Sequence, residues 1–599
     1  MFRYLAVLLP LLLAGNATAE PDAAQLFEQR CGSCHDHPTG RTPAREYLTP
    51  RLPSEIVYAL TRGAMRQQGS MLTRDQIGAL AVFLTGKPMD GEADPDANRC
   101  KDDGGPVVPG SGDWTEWGGG PDNLRLQMKG GITAEELPRL RVKWAFALPG
   151  LSGQPIAAGG RLFVTSRLGL VYALDAKTGC TRWWFKADGT LRSAVAVGKA
   201  GDATAVFFGD DNGDVRALDA RTGKLLWTTR ADPYPSARIL GAVTYWDGRV
   251  YVPLASDDEA DALDPKYECC KFRGGVAALD AATGKMIWRG YTIQETPKPT
   301  RRNSAGTQMY GPSGGSTWSA PTIDSKRRLI YATSGNGYSA PASGGTDAVM
   351  AFDIDTGRRV WSTQAVPDDI WLYRCDGQVD VKKGPVGNCP SPMGYDFDFT
   401  SPPLLRMTAD GKPVLVAGSK QGIVWAFDPD NGGKLLWRTQ VGKGSGAEQI
   451  WGLAAERAVF AANPAPDGPG FPAGGLSALD LATGKTLWRT PAPTVPCAWG
   501  ASGCEHRQPG AVVAIPGAVI SGALDGHLRA YATADGRILW DIDTARTYDA
   551  VNGMRAYGGN IDGSAEIVAN GTLFVNSGNA TATSPHRGSA VLAITADGK

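Results

Sequence analysis

The spacing Cys31-Gly32-Ser33-Cys34-His35 points to one chemistry. Two thiols three positions apart can each form a thioether to a haem vinyl group, and the histidine next in the chain is then held under the iron as its proximal ligand. One covalent haem c is therefore expected on Cys31, Cys34 and His35. Cys269-Cys270 is the second unusual pairing. A disulfide between neighbours closes a small strained ring and serves poorly as a staple, so a role other than cross-linking is expected of it.

These groups need elements to position them. A short helical stretch, Ala23 to Arg30, leads into the haem motif, and a second helix is expected from Ser54 to Thr61. The last helix starts at Thr73, where Gln76 three residues on completes a capping box. Ile77, Leu80, Ala81 and Leu84 then form an apolar stripe at helical spacing. This order over residues 20–86 resembles a small all-α class I cytochrome c, whose sixth iron ligand is a methionine in the loop before the final helix. Met71 lies two residues ahead of the cap, too close to swing over a haem, so Met65 is the expected ligand. Core packing of either methionine, or an open sixth site, is the competing reading.

Residues 1–19 read as an export signal: Arg3, the apolar run Leu5 to Ala14, and the small-residue site Ala17-Thr18-Ala19. The run is too short to span a bilayer and contains Pro10, and no later segment approaches a span, so a soluble periplasmic protein is expected. The eight cysteines outside the haem motif suit that compartment. Adjacency proposes 375–389, 497–504 and 269–270, leaving 100–180 by elimination. Lys+Arg and Asp+Glu both number 61, and no basic stripe of the kind nucleic acid requires is present. Residues 87–112, rich in Gly, Pro and Asp, read as a linker.

From residue 113 onward a pattern recurs: Gly, apolar, Ala-Leu-Asp, two residues, Thr-Gly, three residues, Trp. Copies end at Trp183, Trp227, Trp288, Trp361, Trp437, Trp488 and Trp540. Each reads as a strand, an Asp-x-x-Thr-Gly turn and the start of a second strand. An eighth copy is split. Ser589 to Lys599 carries its first half and stops before the Trp, while Arg141-Val142-Lys143-Trp144-Ala145-Phe146 carries the second half alone. Joining the ends closes a ring and removes both open edges, so an all-β eight-bladed propeller is expected over 113–599.

Off the repeat lie Ala255-Ser256-Asp257-Asp258-Glu259, Gly314-Gly315-Ser316-Thr317-Trp318, Ser334-Gly335-Asn336-Gly337, Gly345-Thr346-Asp347 and Gly418-Ser419-Lys420-Gln421-Gly422. Together, and in this order, they resemble the propeller dehydrogenases that use pyrroloquinoline quinone, the polyvinyl alcohol dehydrogenase group in particular, whose members also carry an N-terminal cytochrome. The resemblance implies that Glu259, Asn336 and Asp347 bind calcium through hard oxygens and that Asp347 is the catalytic base. It further implies that Trp318 lies under the quinone with the Cys269–Cys270 ring over its other face, and that Lys420 contacts the quinone oxygens. Arg192 and Arg238 become candidates for the cofactor's carboxylates, with Arg273 a weaker one. Asp368-Asp369-Ile370-Trp371 resembles a stretch at the site entrance, with no role assigned.

The expected function is oxidation of an alcohol, on polyvinyl alcohol or similar secondary alcohols, with electrons leaving through the haem to a downstream periplasmic acceptor. Oxidation of small alcohols is the nearer alternative. A haem-bearing propeller that only binds partners is the more distant one, since a propeller by itself names no activity.

Overall fold

The computed structural model describes residues 22–37, 45, 48–49, 51–61, 65–87, 89, 96–373, 375, 387–444, 449–465, 473–498, 504–579 and 586–599. The expected signal segment lies outside these residues, as do Arg62, Gly63 and Ala64. The chain divides into two compact units, Met1–Met89 and Asp90–Lys599.

In the first unit, helices Ala23–Phe27, Pro53–Thr61 and Arg74–Thr85 pack Leu26, Phe27, Ile56, Leu60, Leu80 and Leu84 into one apolar core. The Thr73–Gln76 capping box forms as expected, and Gly86 ends that helix in the left-handed region at φ 63°. Among the described residues no helix is long and apolar enough to cross a membrane.

In the second unit most described strands fall into eight four- or five-stranded blades, with three two-stranded sheets beside them. The eighth is assembled as expected from the two chain ends: Ala590–Ala596 pairs with Leu140–Ala147 on one side and with Thr572–Ser577 on the other. The repeat's composition has a direct physical reading. In five of the turns the Asp accepts from the Thr three residues on, as in Asp175 to Thr178 (N, 3.0 Å; Oγ1, 2.9 Å) and Asp280 to Thr283 (2.8 and 2.6 Å). In most copies the repeat Trp donates its indole N–H to the next blade, as Trp183 to Ala220 O at 2.9 Å, Trp288 to Ile354 O at 3.1 Å and Trp437 to Leu481 O at 3.1 Å, while the indole N–H groups of Trp144 and Trp361 have no partner among the described residues. Its ring lies on that blade's turn glycine, so a Cβ on Gly223 would stand 2.7 Å from Trp183. The motif is therefore a blade-to-blade latch.

One element escaped the repeat count. Residues 112–130 run from blade to blade around the ring. Trp114 bonds Ala157, Thr115 O accepts from Val197 N, and Pro121 O from Ile323 N. Asp122 O, Leu124 O, Arg125 O and Gly130 O accept in turn from Leu405, Ala455, Ala514 and Gly571. Arg125 is fully buried and donates to Val512 O (2.7 Å), Trp117 O (2.9 Å) and Glu566 O (3.1 Å). Much of the segment read as linker also belongs here. Cys100 is disulfide-bonded to Cys180, Arg99 bridges Thr181, and Val107 is buried, so from Asp96 on the chain is fastened to the propeller. The other three expected disulfides, 269–270, 375–389 and 497–504, are present.

Candidate active site

The first unit has a pocket whose walls include Phe27, Cys31, His35, Leu60, Met65 and Leu80. Cys31 and Cys34 are outside any disulfide, and His35 is buried. An apolar space with a thiol and an imidazole in its wall fits a covalent haem. Met65 and Met71 both reach this wall. Met65 packs against the apolar core, whereas Met71 is 63% exposed.

In the propeller, Glu259 sits in the short helix Asp258–Asp261, and Asn336 just before the strand Gly337–Ser339. Asp347 immediately precedes Ala348–Asp353, and Lys420 follows Pro413–Ser419. Asp398 ties them together. It accepts from Asn336 N–H at 2.7 Å and Lys420 Nζ at 2.7 Å, and its charge acts on both Glu259 and Asp347. Lys420 Nζ also donates to Asp396 at 2.6 Å. The Asn336 amide donates to Gly337 O (2.8 Å) and Trp371 O (2.9 Å), which fixes its oxygen on the other side.

The fit to a cation can be tested on these atoms. Glu259 Oε1, Asn336 Oδ1 and both Asp347 carboxylate oxygens are sealed from solvent and have no hydrogen-bond partner. Buried oxygens left unpaired are costly, and hard oxygens of this kind are the donors calcium takes. Among the described residues no group of three or more His, Cys, Asp or Glu is gathered as a metal site; the set here is two carboxylates and an amide.

The electrostatics agree. Burial, then the charges of Asp398, Asp369 and Asp396, push the Asp347 carboxyl well above the usual range. Burial and Asp398 raise Glu259 to about 8. Burial works against the charge on Lys420, but Asp398 and Asp396 outweigh it and hold the ammonium protonated. Asp347 also has φ 45°, a conformation that a non-glycine residue keeps only where surrounding structure enforces it. Here its N–H donates to Gly335 O at 2.9 Å and its carbonyl accepts from Ala365 N at 2.8 Å.

Trp318 belongs to the same site: Lys420 Nζ lies 5.5 Å from its ring centroid, and its indole nitrogen is buried without a partner. It also lines a pocket shared with Arg192, Trp451 and Asp562. The Arg192 guanidinium stands 5.7 Å from the Trp318 ring and 5.8 Å from that of Trp451. Burial lowers its pKa, with Asp562 opposing. Arg238 is near enough for its charge to act on Arg192 and pairs with Asp257 at 2.5 Å. Arg273 is committed elsewhere, over the Tyr291 ring at 4.0 Å and bonded to Ile293 O and Gln294 O at 3.4 and 3.2 Å. Cys269 and Cys270 are fully buried in a cluster with Phe272, Met309, Tyr338 and Leu372. Tyr338 in turn bonds Ser316 at 2.6 Å and senses the charge of Glu259.

Sequence reasoning missed the residues that hold this site. Asp396 and Asp398 fix Lys420, and their signal was the alternation Asp396-Phe397-Asp398-Phe399, which belongs to no repeat copy. Asp369, left without a role, accepts three backbone N–H groups from Tyr395, Asp396 and Phe397 at 2.7 to 3.2 Å and so shapes that turn. Asp258, beside Glu259, accepts from Tyr267 OH (2.9 Å) and Tyr234 OH (3.2 Å). Asn388 donates to Ala262 O, Asp264 O and Tyr267 O at 3.0 to 3.2 Å, fastening the segment between Glu259 and Cys269.

A family model described as outer membrane protein assembly factor BamB matches residues 130–370 and 420–598. It covers the repeat and passes over the turn with Asp396 and Asp398. Two proteins called polyvinylalcohol dehydrogenase are each 40% identical to this chain. The one from Pseudomonas sp. aligns over 100% of this chain and 98% of its own length, and that from Sphingopyxis sp. (strain 113P3) over 96% and 93%. Among solved structures, quinohemoprotein alcohol dehydrogenase from Comamonas testosteroni superposes with a TM-score of 0.58 at 20% identity, covering 82% of this chain and 81% of its own. That likeness carries the fold, while the full-length identity carries the kinship. The chain is an enzyme of the pyrroloquinoline quinone-dependent quinohaemoprotein alcohol dehydrogenase family, to which it belongs together with the polyvinyl alcohol dehydrogenases.

Proposed function

We propose that the protein is a periplasmic dehydrogenase that oxidises secondary alcohol groups of the kind polyvinyl alcohol carries, using pyrroloquinoline quinone and calcium in the propeller and one covalent haem c in the N-terminal unit. What supports this reading is that Glu259, Asn336 and Asp347 each carry a buried oxygen without a partner, and that Asp398 bonds Asn336 N–H and Lys420 and acts by its charge on Glu259 and Asp347. Those three residues would hold the calcium. Trp318 and the Cys269–Cys270 pair would cover the quinone's faces, and Arg192, Arg238 and Lys420 would meet its anionic oxygens. When bound, the quinone supplies a two-electron acceptor and calcium a Lewis acid.

The chain's own residues do the rest. Asp347 takes the proton of the substrate hydroxyl, a task its desolvation favours because a carboxylate with a raised pKa is a stronger base. Lys420, fixed by Asp396 and Asp398, brings a preorganised positive charge to the side of the site where negative charge develops. Asp369 keeps that turn in shape. Cys31 and Cys34 would anchor the haem, with His35 and Met65 on its iron, giving a one-electron carrier toward a periplasmic acceptor.

The test is reconstitution of purified apoprotein. Dye-linked oxidation of polyvinyl alcohol and of small secondary alcohols should depend on both added quinone and added calcium, and exceed oxidation of primary alcohols. Oxidation needing neither addition, or none with both, would refute the reading.

A further inference from the structure

The Cys269–Cys270 pair is fully buried, yet the stretch that leads to it from Glu259 has few apolar anchors. From Ala262 to Glu268 only Ala262 is buried, and no residue belongs to a helix or strand. A segment of this kind opens readily unless hydrogen bonds hold it. Two buried amides supply them. Asn388, 1% exposed, donates through Nδ2 to Ala262 O, Asp264 O and Tyr267 O at 3.1, 3.0 and 3.2 Å. Its Oδ1 accepts from Asn303 Nδ2 at 2.7 Å, and Asn303 Nδ2 also donates to Pro265 O at 2.7 Å. Between them the two side chains hold four of the six carbonyls from Ala262 to Tyr267.

Two routes lead from Asn388 to the cysteine pair. Tyr267 O, which takes the amide, also accepts the Cys269 N–H at 2.8 Å. The second route runs through Asn303. Its Oδ1 accepts from the N–H groups of Ala305 and Thr307, both at 2.9 Å, and so shapes the turn between the strands Lys298–Arg302 and Gln308–Gly311. Tyr310 of that hairpin pairs with the cysteines: its N–H donates to Cys269 O at 2.8 Å, and its carbonyl accepts from Cys270 N–H at 3.3 Å. Glu259 is reached less directly. It lies in the helix Asp258–Asp261, where Tyr267 OH and Tyr234 OH bond the Asp258 carboxylate without Asn388.

We infer that Asn388 is a positioning residue of the cofactor site: with Asn303 it holds the Cys269–Cys270 pair against the face of the quinone and so sets how long the quinone stays bound. The inference rests on the dehydrogenase reading above for what the pair covers. An amide suits the place and a carboxylate does not, because three carbonyls converge on Nδ2 and only a donor satisfies them.

The test uses the full chain carrying Asn388→Ala, Asn388→Asp or Asn303→Asp. In apoprotein, treatment with dithiothreitol followed by mass-tagged alkylation reads the rate at which Cys269–Cys270 opens. That rate should rise about tenfold or more in each variant, the scale of one lost buried hydrogen bond, while Cys100–Cys180 keeps its wild-type rate. In calcium-loaded protein, quinone release, followed by recovery of tryptophan fluorescence on dilution, should quicken by a similar factor. Calcium binding to apoprotein, read by calorimetry, should change far less. Asn303→Asp keeps the acceptor its own turn needs and removes the donor, so it reports on the same pair where an Asn388 variant folds poorly. Equal acceleration at Cys100–Cys180, a wild-type-like Asn388→Asp, or a faster-opening pair with unchanged quinone release would overturn the inference and leave the dehydrogenase reading intact. A wild-type protein that binds no quinone with calcium present would overturn both.

Discussion

Replacing Asp347 with asparagine should separate stability from turnover. The residue is fully buried at φ 45°, a region in which asparagine is among the better tolerated residues, and its backbone bonds to Gly335 and Ala365 do not involve the side chain. The exchange therefore keeps shape and removes one charge from a nest where Glu259, Asp369, Asp396 and Asp398 face the single ammonium of Lys420. Because folding raises the Asp347 pKa well above its unfolded value, stability falls by about 1.4 kcal/mol for each pH unit between the two values. The amide does not forfeit it, so the metal-free variant should melt higher than wild type. Catalysis should fall by about 10²–10⁴-fold through loss of the base, or about 3–5 kcal/mol in barrier. The assays are thermal melting of apoprotein at pH 7 and single-turnover alcohol oxidation by holoenzyme at saturating quinone. Turnover within threefold of wild type would remove Asp347 from the chemistry, and a lower apoprotein melting temperature would refute the charge-nest argument.

Four further outcomes are expected. Met65→Ala should change the spectrum of the reduced haem and Met71→Ala should not; the reverse result would reassign the ligand. Deleting residues 588–599 removes a strand that is paired on both sides and buries Val591, Leu592 and Ile594 completely, about 1.5–3 kcal/mol each, so light scattering should find aggregate rather than monomer. Burial raises Glu116 to about 8, so the folded chain holds a proton that the unfolded chain releases near 4.5, and stability should fall as pH rises between those values. Glu116→Gln should flatten that fall by up to about 1.4 kcal/mol per pH unit, and unchanged pH dependence of the melting temperature would count against it. Finally, alcohol added to holoenzyme should reduce the haem at a rate independent of protein concentration; a proportional rate would mean electrons pass between molecules.

The fold was legible because it is repetitive. Most copies repeat the same Asp–Thr turn and a Trp at the same place, and a split copy can be recognised only when the other copies agree, which is why the Ala590–Ala596 and Leu140–Ala147 pairing could be foreseen. Residues 112–130 were not legible, because their bonds to successive blades are made mainly by backbone, and carbonyls and N–H groups leave no trace in residue type. The candidate ligands Glu259, Asn336 and Asp347 were found through resemblance rather than spacing, since some 90 residues separate first from last. Their supports were hidden for a different reason. Asp258, Asp369, Asp396 and Asn388 act by closing turns from a distance in sequence, and a lone Asp or Asn in a loop reads the same whether it is solvated or buried.

The same contrast explains how the chain can maintain such a site. Asp347, Asp368 and Asp396 all have positive φ, and the carboxyls around Lys420 are buried with too few partners. Each such feature costs of order 1–3 kcal/mol, a large share of the 5–15 kcal/mol by which a domain is stable. Nothing local offsets that cost, because the turns carrying these residues lie off the repeat. The surplus has to come from the scaffold: the Trp latches, the strand that joins the chain ends and the segment bonded from blade to blade. All three stiffen the ring, so the acids can remain poorly paired until a cation and substrate arrive. Weakening a latch far from the site, as Trp437→Phe would by removing its bond to Leu481, should therefore lower retention of calcium and quinone before it lowers the content of folded strands.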